Sequence, residues 1–134
     1  MFTDINKIIE FLNGCEEVSS VRVLSQTDTE TQILVGLRIL PKYNSAVGVQ
    51  LTKQNIQITT SINPVYSKAV CKRAKSLSKL LKTFFGVENF CDDNSIWHFT
   101  LVLPPNDIQN LISACFRVAK AELTIRLLNN PDWS

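Results

Sequence analysis

The sequence predicts one α+β domain spanning residues 1–134, with a mostly antiparallel sheet of about five strands and three helices. The length of 134 residues suits one ordinary domain. Hydrophobic residues make up 45% of the chain and charged residues 19%, which is a globular composition. The spacing of apolar residues changes along the chain from a helical period to a period of two, and later back again.

A first helix is predicted close to the start of the chain. Thr3 is a suitable N-cap, and Asp4 would place a carboxylate at the positive end of the helix. Gly14 ends the helix, as glycine often does. The apolar residues at helical spacing are Ile5, Ile8, Ile9 and Leu12.

Four strands follow, because apolar residues then alternate with polar ones. Polar turns at residues 41–45 and 53–55 separate the later strands. Short turns between consecutive strands are typical of an antiparallel meander. The alternating residues are Val21, Val23, Ile33, Val35, Leu37, Ile39, Val47, Val49, Leu51, Ile56, Ile58 and Ile62.

A helix is predicted next, from Asn63 and Pro64 to about Phe85, with Gly86 after it. Residues 87–94 read as a polar loop and residues 96–103 as a fifth strand. Asn106, with Gln109 three residues later, is expected to cap a last helix. The predicted order is therefore α-β-β-β-β-α-β-α.

The first five elements, a helix and then a four-stranded meander, resemble the order found in RWD domains, a family of protein-interaction modules. The Tyr-Pro turn motif expected after the third strand of that family is missing here. Lys53, Gln54 and Asn55 form the predicted turn in its place.

Charge is distributed unevenly along the chain. Residues 31–87 contain nine basic residues and no acidic residue, although the net charge of the whole chain is only +2. Five lysines of the predicted helix are spaced four, three, four and three residues apart, which would align them on one face over ~21 Å. They are Lys68, Lys72, Lys75, Lys79 and Lys82. The apolar residues Val70, Ala74, Leu77, Leu81 and Phe84 would form the opposite, buried face.

This basic stripe leads to the functional hypothesis. We expect a non-enzymatic protein-protein interaction module, or a subunit of a larger intracellular complex, that docks an acidic partner through the helix. The alternative partner is DNA or RNA, bound with weak sequence specificity because Arg73 is the single arginine of the helix. A plain solvated face, neutralised by acidic loop residues such as Asp92 and Asp93, is the third interpretation. The expected binding residues are Lys68, Lys72, Arg73, Lys75, Lys79, Lys82, Lys42 and Lys53.

The predicted sheet has apolar residues on both faces. Opposite the apolar face of one strand lie Leu34, Gly36, Arg38 and Leu40, and opposite that of the last strand lie Ile96, His98, Thr100 and Val102. Antiparallel sheets usually leave one face in water. Helices on both sides of the sheet are slightly favoured, and a homo- or hetero-oligomer through one sheet face is left open.

Little in the sequence favours catalysis. His98, Phe99 and Thr100 resemble half of the signature of the two-histidine phosphoesterases, which need a second such element that this chain lacks. A small phosphoesterase around His98 is a remote alternative. We predict no enzyme, no catalytic residue, no cofactor and no metal site.

The cysteines and the termini suggest a location. Cys15, Cys71, Cys91 and Cys115 contain no CxxC pair, and the start of the chain lacks the features of a signal peptide. No apolar run approaches the ~20 residues needed to cross a bilayer. We expect reduced thiols, an intracellular protein of the cytoplasm or nucleus, and no membrane partner.

Overall fold

A computed structural model describes residues 5–40, 43–64 and 67–129. It confirms the α+β class, with six antiparallel strands and three α-helices in this part of the chain. The elements are α1 (Ile5–Asn13), β1 (Val18–Gln26), β2 (Glu30–Leu40), β3 (Tyr43–Thr52), β4 (Ile56–Ile62), a 3-10 helix (Lys68–Arg73), α2 (Ala74–Phe85), β5 (Glu88–Cys91), β6 (Trp97–Leu103) and α3 (Leu111–Asn129). The predicted cap at Thr3 and Asp4 lies outside the described residues. None of the described helices has the length and apolar character that a membrane crossing requires.

The sheet has the strand order β1-β2-β3-β4-β6-β5. The first four strands form the predicted meander, and each pairs with its neighbour in the sequence. β6 then pairs with β4, so that Leu101 lies opposite Ile58. β5 pairs with β6 and forms one edge of the sheet, while β1 forms the other.

One face of the sheet carries the core. Side chains that alternate along the strands, such as Ile33, Val35 and Leu37, are fully buried. Residues of all three helices belong to the same hydrophobic cluster as these strand residues. Trp97 and Phe99 of β6 are the largest fully buried side chains, and their rings stack at 6.5 Å. The helices therefore cover one face of the sheet.

The other face of the sheet is open to solvent, so the prediction of helices on both faces is wrong. Gln57, Gln50 and Gln32 lie side by side on β4, β3 and β2 and form a polar row across this face. Exposed apolar residues such as Val102 and Phe90 lie on separate strands. Isolated apolar residues are common on protein surfaces. Such residues on this face are the reason why the sequence predicted helices on both sides.

Two helix starts differ from the prediction. The α-helix expected from Pro64 begins at Ala74, after the 3-10 helix. The last helix begins at Leu111, because Asn106 lies in a turn with a left-handed φ of 63°. Asp107, one residue later, accepts a hydrogen bond from the backbone N–H of Asn110 at 3.3 Å.

Strand β5 lies within the predicted loop of residues 87–94. Its four residues include Glu88 and Asn89, so it lacks the apolar alternation that identifies a strand. Pairing with β6 fixes it, with Asn89 opposite Phe99. The Nδ2 of Asn89 donates to the carbonyl oxygens of Ser78 and Val87, and its Oδ1 accepts from the indole N–H of Trp97.

Candidate basic interaction surface

The predicted basic residues of the helical region all lie on the surface. Lys68, Lys72 and Arg73 belong to the 3-10 helix, and Lys75, Lys79 and Lys82 belong to α2. All six residues are exposed. We call residues 68–82 the basic segment.

Contacts from three other parts of the chain fix the 3-10 helix. The backbone N–H of Ala69 donates to Oδ1 of Asn129, at the end of α3, over 2.7 Å. Ser67, just before the 3-10 helix, donates its hydroxyl to the carbonyl oxygen of Ser95 over 3.2 Å. The sulfur of Cys71 lies 3.1 Å from that of Cys91 in β5. These tertiary contacts set the start of the basic segment, and residues 68–82 alone do not encode them.

The change of helix type breaks the straight row of lysines that the sequence predicts. In a 3-10 helix, with 3.0 residues per turn, Lys68 and Lys72 are turned apart by ~120°, whereas an α-helix would separate them by ~40°. Lys75, Lys79 and Lys82 keep α-helical spacing and stay within ~60° of one another. The basic residues therefore spread over a broader surface than one stripe.

One lysine of the segment has an acidic partner within the chain. Nζ of Lys82 lies 2.8 Å from Oε1 of Glu88 in β5. Both side chains are more than half exposed, at 62% and 69%, and such surface pairs contribute ~0–1 kcal/mol. Among the described residues, Lys82 is the single member of the five lysines in an ion pair. Asp92, an expected neutralising residue, is hydrogen-bonded to His98 instead.

An exposed apolar pair lies on another side of α2 from these cations. Phe84 was predicted to be buried, but its side chain is 75% exposed, and Leu80 one turn earlier is 50% exposed. The residues that α2 turns inward are Leu77, Leu81 and, partly, Phe85, at steps of four residues. At ~100° per residue, Leu80 and Phe84 lie ~100–140° around the helix from Lys79. The solvent side of α2 thus has a basic edge and an apolar edge.

The two remaining predicted basic residues do not extend this surface. Lys53 is exposed in the turn between β3 and β4. The strands β4 and β6 separate that turn from β5, against which α2 packs. Lys42 lies outside the described residues.

His98, the histidine of the phosphoesterase alternative, contacts an aromatic ring and a carboxylate of its own chain. His98 lies on the open face of the sheet, and its ring stacks on Phe90 with 4.8 Å between the ring centroids. Its Nε2 is 2.8 Å from Oδ2 of Asp92. The other oxygen of Asp92 accepts the backbone N–H groups of Asn94 and Ile96. Hydrogen bonds, first that of His98 and then those of the backbone, lower the pKa of Asp92. Asp92 and His98 therefore hold the two ends of the loop between β5 and β6 together.

A polar cleft, not foreseen from the sequence, opens where two strands diverge. Pairing of β3 with β4 stops at Gly48 and Thr59. Beyond that point Glu122 of α3, only 4% exposed, lies beneath the cleft. It accepts the hydroxyl of Ser45 at 2.9 Å and two nitrogens of Arg126 at 3.0 and 2.9 Å. Both carboxylate oxygens of Glu122 are therefore hydrogen-bonded. Glu122, Ser45 and Arg126 form a polar network beneath the cleft.

The described residues contain no cluster of three or more His, Cys, Asp or Glu side chains suited to a metal ion. Comparison of the chain with protein-family models, with curated proteins and with solved structures found no match.

Proposed function

We propose that the protein is a non-enzymatic interaction module, or a subunit of a larger complex, that docks an acidic protein surface through the basic segment and the apolar pair Leu80 and Phe84. The observation that carries the proposal is the exposure of six cationic side chains on the same helical segment that carries a phenylalanine with 75% exposure, on a different side of α2. Large aromatic residues are enriched where proteins bind one another.

The two edges of α2 favour a protein partner, each for a different reason. Acidic groups on the partner would face Lys75 and Lys79 and speed the encounter by electrostatic attraction. Burial of Phe84 in an apolar pocket would supply binding free energy, since hydrophobic burial contributes about 25 cal/mol per Å². A partner surface that curves around the exposed side of α2, with acidic groups at one edge and an apolar pocket at the other, matches both edges.

The nucleic-acid alternative has weaker support. Arg73 is the single arginine of the basic segment, so bidentate contacts to bases are scarce. The carboxylate of Glu88 lies beside Lys82, where a phosphate backbone would meet like charge. We keep nucleic acid as an outcome that the binding experiment distinguishes.

The proposal can be tested with four labelled probes in fluorescence anisotropy. Two are peptides rich in glutamate, one with interspersed leucine and phenylalanine and one without. The other two are single- and double-stranded oligonucleotides. We expect the acidic peptide with apolar residues to bind most tightly, Phe84→Ser to reduce its affinity to that of the plain acidic peptide, and the triple charge reversal Lys72→Glu, Lys75→Glu and Lys79→Glu to abolish binding.

The matched control reverses three exposed lysines elsewhere, namely Lys7, Lys53 and Lys120. It changes the net charge equally, so retained peptide binding in this variant assigns the site to the basic segment. Tighter binding of the oligonucleotides, with affinity falling by ~0.7–0.9 logarithmic units per neutralised phosphate for each tenfold rise in salt, would overturn the proposal in favour of nucleic acid.

A further inference from the structure

We propose that Cys71 and Cys91 are a thiol-oxidation site, which forms a reversible disulfide with a small-molecule disulfide such as glutathione disulfide as oxidant. The disulfide would fasten the 3-10 helix to the edge strand β5. This inference does not depend on the proposed function, because it concerns the thiols and not the basic side chains.

The geometry of the two thiols carries the inference. The two Sγ atoms lie 3.1 Å apart, although the residues are 20 positions apart in the sequence and belong to different elements. Both cysteines are free and partly exposed, so a small oxidant can reach them. By contrast, Cys115 is fully buried. Two thiols already in contact need only a small side-chain adjustment to reach the bonded geometry.

Further contacts hold each sulfur in place. The thiol of Cys71 donates to the carbonyl oxygen of Ser67 at 3.3 Å, and that of Cys91 lies 3.8 Å from the carbonyl oxygen of Asp92. The hydrogen bonds of Ser67 and Asn129 described above fix the backbone of the 3-10 helix next to β5. Contacts on both elements therefore hold the two sulfur atoms close together.

The environment disfavours a thiolate at Cys91. Desolvation, followed by the hydrogen bond to Cys71 and by repulsion from Cys71 and Asp92, raises the pKa of Cys91 to about 12. The thiolate is the attacking species in disulfide exchange, so this environment slows the reaction of Cys91 with an oxidant. One thiol of the contacting pair makes the first attack, and the other resolves the mixed disulfide.

The exchange balances in two steps. The thiolate of one cysteine of the pair attacks one sulfur of glutathione disulfide, forms a mixed disulfide and releases one glutathione thiolate. The other cysteine then loses its proton and attacks the sulfur of the first cysteine, which forms the protein disulfide and releases the second glutathione thiolate. The two protons of the protein thiols end on the two glutathione molecules. Excess reduced glutathione reverses both steps.

The disulfide would also change the stability of the chain. It closes a loop of about 20 residues and so restricts the unfolded state. For a chain of this size we expect the midpoint of thermal unfolding to rise by on the order of 10 °C.

The test equilibrates the full-length protein with glutathione buffers of increasing oxidised fraction, alkylates the remaining thiols, and maps the peptides by mass spectrometry. The expected result is a crosslinked peptide pair containing Cys71 and Cys91, with Cys15 and Cys115 alkylated. The crosslink should disappear on return to reduced glutathione.

Variants give an independent check. The double variant Cys15→Ser, Cys115→Ala retains only the proposed pair and should still lose two hydrogens on oxidation and gain the thermal shift. Cys71→Ser and Cys91→Ser should each lose the crosslink and the shift. If the wild-type protein instead carries glutathione on separate cysteines or stays fully reduced in the oxidising buffer, and its unfolding midpoint does not change, the proposal is wrong.

Discussion

Asp92 engages both of its carboxylate oxygens in the short loop between β5 and β6. One oxygen accepts the N–H groups of Asn94 at 2.8 Å and Ile96 at 3.0 Å, and the other meets His98 at 2.8 Å. These bonds favour the charged carboxylate, which is why the pKa of Asp92 is lowered. Stability from such a group is present above its unfolded-state pKa and is lost as the pH falls through its folded-state pKa.

The substitution Asp92→Asn should therefore reveal a pH-dependent loss of stability. At neutral pH we expect it to lower the free energy of unfolding, because a neutral amide makes weaker hydrogen bonds with the same donors. The difference from the wild type should begin to shrink as the pH falls below ~4, the ordinary pKa of an aspartate, and should be lost only below the lowered folded-state pKa, where the folded carboxylate also becomes neutral. Urea unfolding from pH 3 to 7 measures this difference.

Asp93→Asn is the matched control, since Asp93 is the exposed neighbour in the same loop. It removes the same charge and should leave the acid limb of the stability curve close to that of the wild type. If the two variants give the same dependence on pH, Asp92 does not hold the loop in the way described.

The sequence predicted the surroundings of some single residues and not of others. It placed His98 correctly on the less apolar face of a strand, because alternation determines the face. It did not find the partner Asp92, since that contact depends on the hairpin formed by β5, a strand with no apolar alternation. It also missed the exposure of Phe84, which lies within ~20° of the buried Leu77 around α2 but two turns later, because helical spacing does not show which turns of a helix the rest of the molecule covers.

At the scale of the element, α2 ends at a glycine that its backbone requires. Gly86 adopts φ 67° and ψ 27°, and its N–H donates to the carbonyl oxygen of Lys82 at 2.9 Å. A Cβ at this position would also lie 3.0 Å from a guanidinium nitrogen of Arg117. We expect Gly86→Ala to lower the free energy of unfolding by about 1–2 kcal/mol, the cost of left-handed backbone for a residue with a side chain.

Gly14→Ala provides the comparison, measured by the same denaturant titration. Gly14 follows α1, its φ is not in the left-handed range, and a Cβ there would meet backbone oxygens at 3.4 and 3.5 Å. The structure therefore predicts a smaller effect than at Gly86. Equal losses for the two variants would argue against the left-handed conformation as the cause.

The predictability of an element followed the strength of its pattern. α1, the four strands of the meander and β6 were found because their apolar spacing is regular and several turns or strands long. The 3-10 helix and β5 were missed because tertiary contacts determine both. The hydrogen bond from Ala69 to Asn129 joins residues 60 positions apart, beyond the reach of any local pattern.

At the scale of the whole molecule, the clustering of charge has a cost in stability. The basic segment contains no acidic residue, and Glu88 compensates only Lys82. Like charges at helical spacing destabilise by a few tenths of a kcal/mol per pair, and salt screens them. Raising NaCl from low concentration to 0.5 M should therefore increase the unfolding free energy of the wild type by about 0.5 kcal/mol more than that of the triple variant Lys72→Gln, Lys75→Gln, Lys79→Gln.

A second triple variant separates clustering from net charge. Neutralising Lys7, Lys53 and Lys120 removes the same total charge from scattered positions. It should keep the salt response of the wild type, as measured by thermal unfolding in parallel buffers. Identical responses in both triple variants would mean that net charge, and not the basic segment, causes the effect.

The overall architecture was only partly accessible from the sequence. The α+β class and the meander followed from local patterns. Local patterns did not predict which side of the sheet the helices cover. They also did not predict that β6 lies between β4 and β5. The pairing of Ile58 with Leu101 joins strands separated by the entire basic segment, and no residue of either strand encodes that choice locally.

The edge position of β5 has a consequence for local opening. β5 has four residues, and among the strands it pairs only with β6, while α2 packs beside it. Separation of α2 and β5 would leave the other five strands, β1, β2, β3, β4 and β6, paired as before. Amide hydrogen exchange should therefore reveal a cooperative unit at residues 74–91 that exchanges faster than β2 and β3. Lys75, Lys79 and Lys82 would then lie on a part of the molecule that opens at a lower free energy than the central strands.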